Sequence, residues 1–180
     1  MLTSERLRLR PWRDEDLPAF AALNADPEVM EYFPKCLSRE ESDQSAGRIR
    51  EGLARRGFGF WAVEVPGVSE FIGFTGLSIP SFDAHFTPCV EIAWRLARNF
   101  WGFGYATEAA RLALAYGFKI AKAEEIVAFT FVENLRSRRL MERLGMTYSP
   151  EDDFEHPGIP EGHRIRPHVL YRLHRRAWTG

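Results

Sequence analysis

The chain of 180 residues is 45% apolar and 13% aromatic, and its 24 basic and 25 acidic side chains leave a formal charge of −1. Fourteen phenylalanines and five tryptophans exclude a disordered chain. Near-neutrality excludes a protein whose main work is coating nucleic acid, which needs a large cationic surplus. At roughly 100–200 residues per domain, the length predicts one domain spanning 1–180, with a core from about residue 5 to residue 175. No stretch approaches the ~18 apolar residues of a membrane span, so no membrane partner is expected. The first residues carry arginines and acids where a signal peptide has an apolar run, and Cys36 and Cys89 are isolated, with no disulfide framework. Together these predict a reducing, cytoplasmic setting.

In chain order, Glu5–Arg10 alternates charged and apolar residues and reads as a strand with one wet face. Asp14 is a good N-cap for a short amphipathic helix carrying Leu17, Phe20, Ala21 and Leu23 and ending near Asp26-Pro27. Ser38-Arg39-Glu40-Glu41 is a capping box that opens a polar helix to about Arg56. Phe58–Val65 and Phe71–Ile79, separated by Pro66-Gly67, read as a hairpin. Val90–Leu96 is a strand that runs into glycines, and a helical pattern follows from about Gly104 to Lys122. In it Ala106, Ala109, Ala110, Ala113 and Gly117 form a stripe of small residues suited to lying close on a sheet. The apolar run Ile126–Val132 reads as a strand buried on both faces. Asn134 starts another helix, which Gly145 ends; Ser149–Pro167 reads as a long loop, and His168–Leu173 as a last strand. The strand–helix–strand unit from Val90 to Val132 demands a parallel pair beside antiparallel neighbours. The expectation is an α/β (α+β) fold on a mixed, mostly antiparallel sheet with helices on both faces.

A strand running through glycines into a helix N-terminus is the geometry that binds phosphate, through exposed backbone N–H groups and the positive end of the helix dipole. A P-loop needs Gly-Lys-Ser/Thr, and no lysine stands between Lys35 and Lys119. The dinucleotide fingerprint needs a third glycine where Thr107 stands. What remains is the pyrophosphate loop of coenzyme A-dependent N-acetyltransferases. The run Glu91–Leu96 followed by Trp101-Gly102-Phe103-Gly104-Tyr105-Ala106-Thr107-Glu108-Ala109 resembles motif A of the GNAT superfamily. The downstream segment Asn134-Leu135-Arg136-Ser137, closing on Leu144-Gly145-Met146, is similar to that of its RimJ/RimL-like branch, the ribosomal-protein N-acetyltransferases.

The resemblance implies that strands Val90–Leu96 and Ile126–Val132 splay apart to admit the coenzyme. Backbone around Trp94 and Leu96 would meet the pantetheine arm. N–H groups of Trp101, Gly102, Phe103, Gly104, Tyr105, Ala106 and Thr107 would hold the pyrophosphate. Arg98, Arg138 and Arg139 would face the phosphates, although arginines on a helix are also an ordinary solvated face. Between Arg95 and Gly145 nine basic side chains stand against five acidic ones, a local surplus inside the neutral total.

Acetyl transfer to an amine needs a neutral nucleophile, a stabilised oxyanion and a proton for the departing thiolate. Glu91 is the candidate base, with Glu155 as second choice. Many members of the superfamily carry a tyrosine seven residues after the asparagine as acid; Met141 stands there. The resemblance to the RimJ/RimL-like branch, which places a serine three residues after the asparagine, implies Ser137 instead, with Tyr105 and Tyr148 as weaker substitutes and Asn134 either a cap or a further contact to the coenzyme. Phe33, Glu155, His156 and His168 are candidates for the acceptor pocket. His156, His163 and His168 match no compact zinc spacing, so no metal is expected. The expected activity is direct N-acetylation by acetyl-CoA of a protein N-terminus or a small amine, the rival being a non-catalytic coenzyme A-binding module. Oligomeric state, including a homodimer, stays open.

Overall fold

The computed structural model describes residues 1–180. Its strands are β1 (Leu2–Thr3), β2 (Arg8–Arg10), β3 (Phe60–Val65), β4 (Ser69–Ser78), β5 (Glu91–Leu96), β6 (Glu125–Phe131), β7 (Thr147–Tyr148), β8 (Phe154–Glu155) and β9 (Pro167–His174). Its α-helices are α1 (Asp16–Ala25), α2 (Arg39–Arg56), α3 (Tyr105–Lys119) and α4 (Leu135–Arg143). One sheet runs β1-β2-β3-β4-β5-β6-β9-β7, with β8 paired on β9. Every pairing is antiparallel except β5 with β6, the pair that α3 connects.

Strand alternation divides the sheet into two buried faces. Leu7, Leu9, Trp61, Val63, Ile72, Ile92 and Leu96 point to one side, against Ala109, Ala110, Ala113 and Leu114 of α3 and Leu140 and Met141 of α4. Ala62, Phe71 and Phe74 point to the other, where they meet Trp12, Phe20 and Leu23 of the α1 region and Ala46 of α2. The stripe of small residues does what its spacing suggests: Ala109, Ala110 and Ala113 are fully buried. A Cβ on Gly117 would lie 2.6 Å from Ile126 Cδ1, so the bare backbone lets α3 lie close on the sheet without moving that side chain.

The capping box at Ser38 is formed, with the Ser38 side chain accepting from the Glu41 N–H and the Glu41 carboxylate accepting from the Ser38 N–H. The expected cap at Asp14 is not. Helix α1 begins at Asp16 without a side-chain cap, because Asp14 turns outward to pair with Arg50 at 2.7 Å. Asp16 is instead drawn inward by Arg10, whose guanidinium donates to both its oxygens at 2.7 and 2.8 Å and to Glu64 at 2.8 Å. All three side chains are buried, and they join β2, β3 and the start of α1. The expected long loop also carries the 3-10 turn Pro150–Asp152 and β8; these, like β1 and β7, are too short to leave a periodic signal. No helix is long and apolar enough to cross a membrane.

Removing one member of a buried, fully paired ion network leaves the others uncompensated, at a cost of about 3–5 kcal/mol. Arg10→Met is expected to destabilise the fold by about that amount, read as a lowered midpoint in urea unfolding followed by circular dichroism.

Candidate active site

The site follows from how little β5 and β6 share. Their ladder is a single register pair, Glu91 with Val127, held by the Val127 N–H donating to the Val90 carbonyl at 2.9 Å. On its other side β5 is fully paired with β4 over six residues, and β6 is paired with β9 over seven. The Ala97 N–H donates to the Ile72 carbonyl on β4, so by alternation the N–H and C=O of Ile92, Trp94 and Leu96 point away from β4, into the gap. Beyond Val127 the strands diverge over a cavity of about 740 Å³. Its walls are β5, the glycine turn, α4, the loop between α1 and α2, and the tail loop around His156 and Ile159.

At one end lies the glycine turn. Gly102 and Gly104 have φ of 84° and 81°, the left-handed region that a side chain would strain, and Gly104 caps α3. The turn is held from both sides. The Trp101 indole N–H donates to the Leu96 carbonyl at 2.8 Å, and the Arg136 guanidinium lies 4.2 Å over the Trp101 ring. From the other side Arg6 donates to the Phe103 carbonyl at 3.0 Å and to the Glu108 carboxylate. Burial alone would raise the Glu108 carboxyl, but hydrogen bonds from Ser4 and Arg6 outweigh it and hold the group below the ordinary carboxylate range. The first turn of α3 thus opens its N–H groups toward the cavity through Tyr105, Ala106 and Thr107, all of which line it.

Helix α4 forms the opposite wall. Asn134 is its N-cap, accepting from the Ser137 N–H at 3.2 Å and donating to Thr130 Oγ1 at 2.9 Å. Ser137 Oγ accepts from the Trp94 indole at 3.3 Å, which leaves its own O–H free to donate. Arg139 and Arg143, one helical turn apart, line the cavity with no carboxylate partner. Arg138 points elsewhere: it donates to the Val132 carbonyl and to the Tyr171 hydroxyl. Arg98 is likewise outside, paired with Glu28 at 2.6 Å. Phe103 is exposed on the turn and does not line the cavity, and Glu155 lies at the surface against Arg166. The remaining expected residues, from Glu91, Trp94 and Leu96 to Phe33, His156 and His168, converge on one cavity.

At the other end stand the titratable groups. Glu91 accepts a hydrogen bond from the Ser78 hydroxyl at 2.7 Å; burial pushes its carboxyl up to about 7, against the opposing effect of that bond. His156 and His168 stand ring to ring at 4.9 Å. Burial pulls His168 down to about 4 and lowers His156, so both are neutral imidazoles near pH 7. No group of three or more His, Cys, Asp or Glu side chains is arranged to hold a metal ion. Sequence reading passed over Arg95, a wall residue. Its guanidinium lies 4.0 Å from the Phe33 ring centre and 5.4 Å from that of Phe74, and it donates to Asn24 Oδ1 at 2.6 Å.

Residues 6–147 match the family model described as an acetyltransferase (GNAT) domain. An Aspergillus fumigatus protein named FsC-acetyl coenzyme A-N(2)-transacetylase is 30% identical over 190 residues, covering 98% of this chain and 77% of its own length. A crystal structure of a GNAT-family acetyltransferase from Bacillus anthracis superposes with a TM-score of 0.80 at 27% identity, covering 97% of this chain and 98% of that one. Spermidine N-acetyltransferase from Vibrio cholerae, solved with CoA and spermine, has the same fold: TM-score 0.76 at 20% identity, over 98% of this chain and 100% of that one. A strand pair parted over a glycine turn, in a chain matched over most of its length, makes this protein a member of the GNAT acetyltransferase family.

Proposed function

We propose that this N-acetyltransferase takes its acetyl group from acetyl-CoA and passes it directly to a small-molecule amine. The observation that carries the reading is the gap between β5 and β6, which opens onto the glycine turn at one end and onto Glu91 at the other. N–H groups at the turn and the positive end of α3 suit a pyrophosphate, and the unpartnered Arg139 and Arg143 suit the remaining phosphate charge. Backbone groups of Trp94 and Leu96 suit the amide-bearing arm that would lie between the strands. The coenzyme in the name of the Aspergillus relative and in the Vibrio cholerae structure is consistent with this assignment.

The chemistry then divides among this chain's own groups. An ammonium must lose a proton before it can attack; Glu91, poised near neutrality, accepts that proton directly or through water. A backbone N–H of β5 facing the gap steadies the oxyanion as the amine adds to the thioester carbonyl. Ser137, with a free hydroxyl proton, donates toward the departing sulfur. A thiol pKa of about 8.5 makes that sulfur a fair leaving group, so the acid contributes less than the base.

The acceptor is small because the cavity is fenced. Tyr32 packs on Phe131, Ile159 and Ile165, joining the loop after α1 to the tail loop across the end of β6. Glu28–Arg98 and Glu31–Arg136 pairs tie that loop to the glycine turn and to α4. The RimJ/RimL-like resemblance would favour a protein N-terminus instead. Incubating the enzyme with acetyl-CoA, a panel of amines and a set of peptides, and following thiol release, separates the two. Turnover confined to peptides would overturn the small-molecule reading. No turnover with any amine, with coenzyme still bound, would leave a binding module.

In that assay kcat/KM is expected to rise with pH through about 7, as Glu91 gives up its proton. Glu91→Gln should flatten this limb and lower turnover by about 10²–10⁴-fold with acetyl-CoA affinity retained. Gly104→Val should weaken acetyl-CoA binding at least ~10-fold by calorimetry, because the left-handed conformation costs a β-branched residue roughly 1–2 kcal/mol. That strain is small against the ~5–15 kcal/mol of a typical fold, so circular dichroism should stay unchanged.

A further inference from the structure

Among the arginines with buried guanidinium nitrogens, Arg95 stands apart. Arg10 is matched by two carboxylates, as a buried cation should be. Arg95 has none. Its one protein acceptor is the neutral amide oxygen of Asn24, and its Nε is cut off from solvent without a partner. Burial pulls its ionisation down to about 10, which still leaves it charged at neutral pH. Nη2 also lacks a protein acceptor, yet unlike Nε it is not sealed off. As Arg95 lines the cavity, that nitrogen opens onto it.

The guanidinium is also held in place. Asn24 is itself buried and donates to the buried Ser42 hydroxyl at 2.9 Å, which fixes the direction of its amide. The rings of Phe33 and Phe74 hold the group from the sides. Arg95 and Glu91 are four residues apart on β5 and project from the same sheet face, with Ala93 between them. The same wall of the cavity therefore carries a proton acceptor, a small-residue gap and a fixed cation without a counter-ion.

We propose that the acceptor is an amino-carboxylate with an apolar body: its amine directed toward Glu91, its carboxylate held by the open edge of the Arg95 guanidinium, and its body against Phe33 and Phe74. A carboxylate can accept from the open Nη2, and it supplies the charge that burial has left unmatched. Asn24 acts as a positioning residue for Arg95. This inference rests on the acetyl-transfer reading above.

The experiment compares matched acceptors with the intact enzyme and saturating acetyl-CoA: phenylalanine, leucine and 4-aminobutyrate, the carboxamide of each, and the amine lacking the carboxyl carbon. The wild-type enzyme should favour at least one carboxylate over its amide by about 100-fold in kcat/KM. Arg95→Met should reduce that ratio to near one, because the carboxylate acceptors lose far more kcat/KM than their amides do. Asn24→Ala should lower the ratio through KM. If Arg95→Met does not fold, the wild-type ratio alone decides. Equal or better use of the amides, or a preference that survives Arg95→Met, overturns this proposal and leaves the N-acetyltransferase reading standing. No acetylation of any member of any pair also overturns this proposal, whereas the acetyl-transfer reading falls only if the wider panel of amines and peptides gives no turnover either.

Discussion

The molecule is organised by a set of hydrogen bonds that its two central strands do not make. In an ordinary parallel pair each residue step adds a bond, and the ladder closes. Here β5 and β6 join at Glu91 and Val127 and then separate, although both are saturated on their outer edges by β4 and β9. Backbone donors and acceptors of β5 beyond Glu91 face the gap without a strand partner on β6. The gap is therefore stable only because the rest of the sheet holds it, and the same unmatched groups are what a ligand with amides of its own can satisfy. Helix α3, which leaves β5 and returns to β6, sets where the strands meet, and its bare Gly117 backbone lets it press onto Ile126.

Around the gap the polar groups are sorted by end. Toward the glycine turn, every charged side chain of α4 that lines the cavity is cationic. Toward the other end lie a carboxyl raised by burial and two imidazoles lowered by it, so the histidines there add little charge near pH 7. The polyanion and the neutral amine of the proposed reaction would thus meet different environments in one cavity. The walls between are aromatic: Phe129 on β6 sits among Phe82, Phe86 and Phe154, which carries the low-dielectric lining into the tail region.

Much of this was readable from spacing. The glycine turn, the small-residue stripe, the capping box at Ser38 and the Asn134 helix start each have a local pattern, and each element lies where that pattern puts it. What failed was whatever depends on helical phase or on a distant partner. Arg138 and Arg139 are neighbours in sequence but lie about 100° apart around α4, so one enters the cavity while the other turns to Tyr171. Asp14 carries a good cap signal, yet the pairing of Arg10 with Asp16 decides where α1 begins. Arg98 and Glu155 have suitable chemistry but meet Glu28 and Arg166 first. Arg95 left no mark, because a charged residue in a strand reads as a solvent-facing one; only the cover supplied by α1 and α2 makes it an interior cation.

The contact between Arg6 and the Phe103 carbonyl has a consequence for the polarity of the glycine turn. A turn has oxygens as well as N–H groups, and an oxygen facing an anion cancels the attraction of a neighbouring N–H. By engaging that carbonyl from behind, while Glu108 keeps the guanidinium in position, Arg6 fixes which way the peptide plane faces. The segment between β1 and β2 thus acts as a keel: it lies outside the cavity, and it takes the Phe103 carbonyl of the turn out of play. If the turn receives the phosphates as proposed, its selectivity for negative charge would begin at the sixth residue, on the far side of the loop.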